Sequence, residues 1–312
     1  MIAHGLGRHL RSWCAGLGGA LLIGQASAAA ADLPPLVDPA GAEHHSGKVI
    51  WRELVTPDLH AAQDFYGQLF GWTFRTQQAA PANDDKSPVR EYAIALLDDQ
   101  PVAAIVRRRA PSGEPVQPAW LNFFAVRDID AARHEALEHG AKVLVEPRSM
   151  GRRGRQAVLA DPQGAVFAIL ASASGDGPDD LPSPGEWIWT SLLVRDADKD
   201  AAFYQDLFGY EVFDVPSPDG RDHVVLASDN LARASVNDMP DDAPRRHPRW
   251  IGFVRVLDVA AVVSHARELG GRVLVEPHPD RHGGQVAVIA DPQGAPLGLM
   301  DWNGPTVQGS AQ

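Results

Sequence analysis

The sequence is poor in cysteine: it has one, Cys14, and that residue lies in an N-terminal stretch that reads as removable. The remainder of the chain contains no thiol. Disulfides, thiolate metal ligands and a cysteine nucleophile are therefore excluded from the mature chain, which suits an oxidising compartment. Basic charge is also scarce, with 28 Lys and Arg against 40 Asp and Glu in 312 residues. A nucleic-acid partner requires a concentrated basic surface, so none is expected. The opening segment differs from the rest. Arg8 and Arg11 precede the uncharged stretch Ser12–Gly24, and Ala26-Ser27-Ala28 offers small residues for cleavage. This is the plan of a secretory signal peptide over residues 1–28, with the cut falling as late as about residue 31. Its apolar run is too short to cross a bilayer comfortably. The expectation is a secreted or periplasmic protein with no membrane span after cleavage.

What is abundant is repetition. Ala-Asp-Pro-Gln-Gly-Ala occurs at Ala160–Ala165 and again at Ala290–Ala295. Upstream of these stand Phe65-Tyr-Gly-Gln-Leu-Phe-Gly-Trp72 and Phe203-Tyr-Gln-Asp-Leu-Phe-Gly-Tyr210, and the same words in the same order mean a duplicated domain. Residues 29–47, rich in Pro, Ala and Gly, read as a flexible leader. The first domain then spans 48–172, a Pro/Gly/Asp linker 173–185, the second domain 186–302, and a tail 303–312.

Each domain carries one plan twice. Val49–Val55 predicts a strand, and Thr56-Pro-Asp58 opens a helix in which Thr56 is placed to cap and Pro57 suits the first turn. Ala62, Phe65, Tyr66, Leu69 and Phe70 form one apolar stripe, and Gly71 ends it. Further strand-like runs come after it. A second unit begins at Trp120–Val126 with a helix over Asp128–His139, and the second domain repeats the series from Trp187. The fold class is therefore α+β: four strand–helix–strand–strand–strand units, paired into two incomplete barrels with helices outside and a cleft inside each. Asp161-Pro-Gln-Gly164 and Asp291-Pro-Gln-Gly294 have the chemistry of tight turns between strands.

Taken together, these motifs resemble the vicinal oxygen chelate superfamily of glyoxalase I, bleomycin-resistance proteins and extradiol dioxygenases, in its tandem-domain form. The resemblance covers both halves and implies cupped ligand sites. In metal-using members it also implies a divalent ion, held by His, Gln or Glu from the first and last strands of the units and acting as a Lewis acid. The first-strand positions fall here on Trp51 and Trp189, the second-unit ones near Leu121 and Ile251, and the last-strand ones on Ala168 and Gly298. None of these side chains has a donor for such a cation. No cofactor is predicted. A metal would need a site rebuilt around Glu53 or the histidines His223, His247, His278 and His282.

Strict period-two alternation gives the remaining candidates. Trp51 and Glu53 share a strand face, so Glu53 is a candidate general base, and Trp187, Trp189 and Ser191 are the second-half equivalents. Trp120 and Asn122 open the second unit and are further ligand candidates, with the strand's register open. The cationic loops Arg148–Arg155 and His278–Gly284 stand near the last hairpins. The expectation is an exported protein that binds a small, partly aromatic molecule in its cups without the family's metal. The alternative is a lyase or oxygenase with a rebuilt metal site, and a homodimer is left open.

Overall fold

The computed structural model describes residues 33–78, 91–108, 116–215, 223–239, 247–280 and 284–302. The expected signal peptide and tail lie outside them. In the first half, β1 (Val49–Thr56), α1 (Leu59–Phe70), β2 (Thr73–Gln78), β3 (Glu91–Leu97) and β4 (Gln100–Arg107) form one unit. Its partner unit is β5 (Ala119–Ala125), α2 (Ile129–Glu138), β6 (Lys142–Ser149), β7 (Gly154–Ala160) and β8 (Val166–Ser172). The second half repeats this with β9 (Trp187–Val194), α3 (Ala197–Phe208), β10 (Glu211–Asp214), β11 (His223–Ser228) and β12 (Leu231–Asp238). It closes with β13 (Arg249–Arg255), α4 (Val259–Glu268), β14 (Arg272–Pro279), β15 (Gln285–Ala290) and β16 (Pro296–Met300). Each half is one eight-stranded sheet, ordered β2-β3-β4-β1-β5-β8-β7-β6 and β10-β11-β12-β9-β13-β16-β15-β14. The two-unit α+β plan expected from the repeats is what forms, and each cup is built within its own half.

All four helices start at an aspartate. The side chains of Asp58, Asp128, Asp196 and Asp258 each accept a backbone N–H of the first turn. In α1 the cap is Asp58 rather than Thr56, because the helix begins later than its sequence suggests. Gly71 and Gly209 end α1 and α3 in the left-handed region, where a glycine has no Cβ to strain.

The helices lie on the convex faces of the sheets, and the convex faces of the two halves pack on each other. One apolar cluster joins Phe124, Phe167 and Ile169 of the first half to Leu192, Tyr204, Phe208 and Val236 of the second. A second cluster joins Leu54, Phe65 and Tyr66 to Val254, Val263 and Leu299. The duplicated words meet in this seam. Tyr66 donates to Asp291 Oδ2 at 3.0 Å, and Tyr204 donates to Asp161 Oδ2 at 3.0 Å. Each tyrosine hydroxyl also accepts an indole N–H of its own half, from Trp120 at 3.0 Å and from Trp250 at 2.9 Å. The other oxygen of each aspartate holds its turn, accepting the N–H groups of Gln163, Gly164 and Ala165, or of Gln293, Gly294 and Ala295. Asp-Pro-Gln-Gly is thus a turn, as expected, and its free oxygen latches the opposite half.

The seam is not fully symmetric. Asp200 of α3 stands where α1 has Ala62. It is fully buried. Burial first, then the charge of Asp161, pushes its carboxyl up to about 7.

Tyr66→Phe or Tyr204→Phe leaves a buried carboxylate oxygen and an indole N–H unmatched, so each is expected to cost about 1.5–3 kcal/mol in denaturant unfolding. A second prediction concerns pH. Asp200 keeps its proton to about pH 7 when folded, whereas an unfolded aspartate loses it at about pH 3.9. Folding then takes up a proton between these values, and stability drains away as pH rises through the folded value. Asp200→Asn therefore raises the melting temperature at pH 8, with the gain shrinking towards pH 4.

Candidate functional site

With the convex faces used for the seam, the concave faces are what a ligand can reach. In the first half, Trp51 pairs across the sheet with Phe123, and Phe123 with Ala168. In the second, Trp189 pairs with Phe253, and Phe253 with Gly298. These rows occupy the positions at which the sequence resemblance puts metal ligands. They contain indole, phenyl, methyl and hydrogen, so they do not fit a hard or borderline cation. Among the described residues no three His, Cys, Asp or Glu side chains converge on a cation position. His223 lies beside Asn237, His247 is exposed, and the ring of His278 bonds the backbone of Val286 at an exposed edge. His282 lies outside the described residues.

The two cups differ in what covers them. The first is packed with its own side chains, among them Trp51, Ile94, Leu121, Phe123, Val158 and Leu170, and Leu36 of the leader packs against this cluster. Glu53 is half-buried at its side, with the Tyr92 hydroxyl donating to Oε1 at 3.5 Å. Burial pushes the Glu53 carboxyl up, while the charges of Arg153 and Arg148 pull it back. Arg153 is buried, with its guanidinium 4.1 Å above the Trp51 ring.

The second cup is more open among the described residues. Val145 in the first half is 8% exposed, whereas its counterpart Val275 is 38% exposed, and neighbouring Leu274 is 45% exposed. Trp189 and Phe253 are half-buried where Trp51 and Phe123 are buried. One wall is a polar ladder across β9, β12 and β11. Trp189 Nε1 donates to Ser235 Oγ at 3.2 Å, and Ser235 and Ser191 share a hydrogen bond at 3.0 Å. Asn237 Nδ2 donates to Ser191 Oγ at 2.7 Å, and His223 Nδ1 meets Asn237 Oδ1. The first-half positions matching Ser191, Ser235 and Asn237 are Glu53, Ala104 and Val106, so this ladder belongs to the second half.

Of the side chains expected to line the cups, Trp51, Glu53, Trp189 and Ser191 do so. Trp120, Asn122 and Trp187 do not, and the structure corrects their placement. Trp120 and Asn122 are on the convex face, because the cup face of β5 belongs to Leu121 and Phe123. Trp187 is turned by a bulge: Trp189 pairs with Phe253 while Trp187 pairs with its immediate neighbour Val254. An extra residue reverses the alternation on which the expectation rested. The Trp187 ring lies 4.8 Å from that of Trp120, and its N–H donates to Val102 O at 2.9 Å, across the seam. Asn122 accepts from Arg52 Nε at 3.0 Å and donates to Thr190 Oγ1 at 3.2 Å. Arg52 lies over the Trp187 ring, and burial lowers its guanidinium to about 9. Of the cationic loop, Arg155 pairs with Asp130 on the surface, whereas Arg153 turns inward.

Sequence reasoning missed Phe253, Ser235, Asn237 and the cup-ward role of Arg153. Phe253 was within reach: the bulky ring lies over Gly298, whose missing side chain makes room for it. A Cβ added at Gly298 would stand 2.2 Å from Phe253 Cδ1.

Comparisons with known proteins match the fold. Residues 48–169 match the Glyoxalase/Bleomycin resistance protein/Dioxygenase superfamily, and residues 189–300 match a glyoxalase-like domain. CFP32 of Mycobacterium tuberculosis, named as a glyoxylase, is 29% identical over 266 residues, covering 84% of this chain and 97% of that protein. The anthracycline biosynthesis protein DauV of Streptomyces sp. is 30% identical over 266 residues, covering 82% and 93%. Among solved structures, the Mn(II)-bound glyoxalase from Novosphingobium aromaticivorans superposes with a TM-score of 0.59 at 16% identity, covering 86% of each chain. A variant of homoprotocatechuate 2,3-dioxygenase from B. fuscum gives 0.60 at 13% identity, covering 89% of this chain and 77% of that one.

Gly298→Ala forces Phe253 off its seat and is expected to cost about 1–3 kcal/mol in denaturant unfolding. A change below ~0.5 kcal/mol would show that the ring does not rest there.

Proposed function

We propose that this chain, which belongs to the Glyoxalase/Bleomycin resistance protein/Dioxygenase superfamily as a tandem of two domains, binds a small, partly aromatic molecule in its second cup. The observation that carries the reading is the half-open face made by Trp189, Phe253 and the ladder Ser191–Ser235–Asn237. Aromatic rings supply a flat apolar wall, and the serine ladder, whose acceptor sites are taken by Trp189, Asn237 and one serine, leaves one hydroxyl donor to fix orientation. Glu53 has the chemistry of a general base. It is held in the covered first cup beside Arg153, so this reading rests on the open second cup and gives no step to Glu53. The relatives named for glyoxylase activity and for anthracycline biosynthesis support a small-molecule role. Export through the N-terminal segment is part of the same proposal and rests on its composition.

The competing reading is a metal-dependent lyase or oxygenase, in keeping with the manganese-bound glyoxalase among the structural neighbours. Donor chemistry supports the first reading, because the aromatic rows offer a metal nothing to bind.

The deciding experiment purifies the full chain without chelators and subjects it to native mass spectrometry and metal analysis. The expected result is an organic adduct at one per chain that Trp189→Ala weakens by about tenfold or more, with Ser191→Val weakening it less. Stoichiometric iron, zinc, nickel or manganese, retained in Trp189→Ala and supporting turnover, would overturn the proposal.

A further inference from the structure

The first cup carries equipment that a simple core does not need. Arg153 is 1% exposed, with its guanidinium over the Trp51 ring and Tyr92 and Glu53 beside it. Burying a guanidinium over an indole costs free energy that an apolar pair would avoid. Both belong to the cup in which Leu121, Phe123 and Val158 provide an apolar floor. Such a combination suits a molecule with an apolar body and an acceptor oxygen.

Something with that chemistry is already there. The leader does not run free past the cup but lies over it. Leu33 is 4% exposed, and its N–H donates to Met150 O at 3.3 Å. Arg153 Nε donates to the carbonyl oxygen of Pro34 at 2.8 Å. Leu36 packs on the cup's apolar cluster, and the N–H groups of Leu36 and Val37 donate to Ser174 Oγ at 3.0 and 3.1 Å. An apolar body, Leu33 and Leu36, thus flanks an oxygen held by a buried guanidinium. In the second half the residue aligned with Arg153 is Gly283, and no leader precedes that cup. The linker between the halves supplies Ser174 instead of a second covering segment.

We propose that residues 33–37 are a tethered occupant of the first cup, standing in for a ligand with an apolar body and a carbonyl, carboxylate or sulfonate oxygen. When the segment withdraws, the cup becomes a second binding site in which Arg153 receives that oxygen. The attachment is few in bonds: one charge-assisted contact, three backbone donors and two leucines. Local release of a short segment held by so few contacts is far cheaper than unfolding the half it covers. This site is independent of the second cup, since it uses different residues and a different contact.

The test uses the full chain and anilinonaphthalene sulfonate, which has aromatic rings and an anionic oxygen. Leu33→Asp with Leu36→Asp places charges where the leader meets apolar side chains and drives it out. The released variant is expected to bind one probe molecule more than its parent, whatever the parent's own number. Adding Arg153→Gln to that variant removes the additional site. If the second cup holds no ligand, the parent number falls to zero but the difference of one persists. An unchanged number of sites on leader release would overturn the proposal, and so would a gain that survives Arg153→Gln. A measurement on the unaltered chain guards against a variant that misfolds. Saturating probe should accelerate hydrogen exchange at the Leu36 and Val37 amides while those of β7 and β8 stay protected. Exchange at Leu36 and Val37 that does not respond to saturating probe contradicts a competed site.

Discussion

The structure depends on a pair of buried hydrogen bonds that cross between its halves. Tyr66 reaches Asp291, Tyr204 reaches Asp161, and each hydroxyl accepts an indole N–H from behind. Each aspartate is raised by burial and held down by the groups it accepts. Donors from the turn amides and from the tyrosine offset part of the cost of burying them. One side chain therefore does two jobs, closing a strand turn in its own half and fastening the helix of the other. This is why both words of the repeat are needed in both halves. It also explains why aromatic residues crowd the seam, where Tyr66, Trp72, Trp120 and Trp187 sit ring to ring and Phe124, Tyr204, Phe208 and Trp250 form the matching group.

That arrangement fixes where function can lie. Convex faces spent on the seam leave two concave faces, and the duplication has let them diverge. In the first, Trp51, Phe123 and Ala168 fill the row at which the sequence resemblance puts metal ligands, and the leader closes the cup with a carbonyl bound to Arg153. In the second, glycine at position 298 lets Phe253 lie flat against the sheet, and a serine–asparagine ladder replaces Glu53, Ala104 and Val106. One cup is filled from within the chain, and the other presents a wall suited to a ring. The fold supplies the container in both cases, and the side chains decide its use.

The architecture was legible in the sequence because it is written twice. Helix stripes, terminal glycines and Asp-Pro-Gln-Gly turns each appear in duplicate, and the cup positions of Trp51, Glu53, Trp189 and Ser191 agree with simple alternation. Three strands were harder: Thr73–Gln78, Glu211–Asp214 and Leu231–Asp238 mix polar and apolar residues without clear alternation and gain their order from neighbours in the sheet. Trp187 misled because a bulge is a property of pairing, invisible in one strand. Trp120 and Asn122 misled because a strand buried on both faces has no polar side to set its register. The cross-half latch was beyond local pattern altogether, since its partners are 225 residues apart in one case. The covering of the first cup was equally hidden, because a Pro-rich leader carries no sign of what it will lie against.

The most direct test of unequal cups is oxidative footprinting of the folded full chain, read residue by residue by mass spectrometry. Trp189 and Phe253 are expected to be modified readily while Trp51 and Phe123, at equivalent positions, are protected. Equal modification of the two rows, or protection of Trp189 and Phe253 with labelling of Trp51 and Phe123, would contradict that expectation and with it the division of roles between the cups.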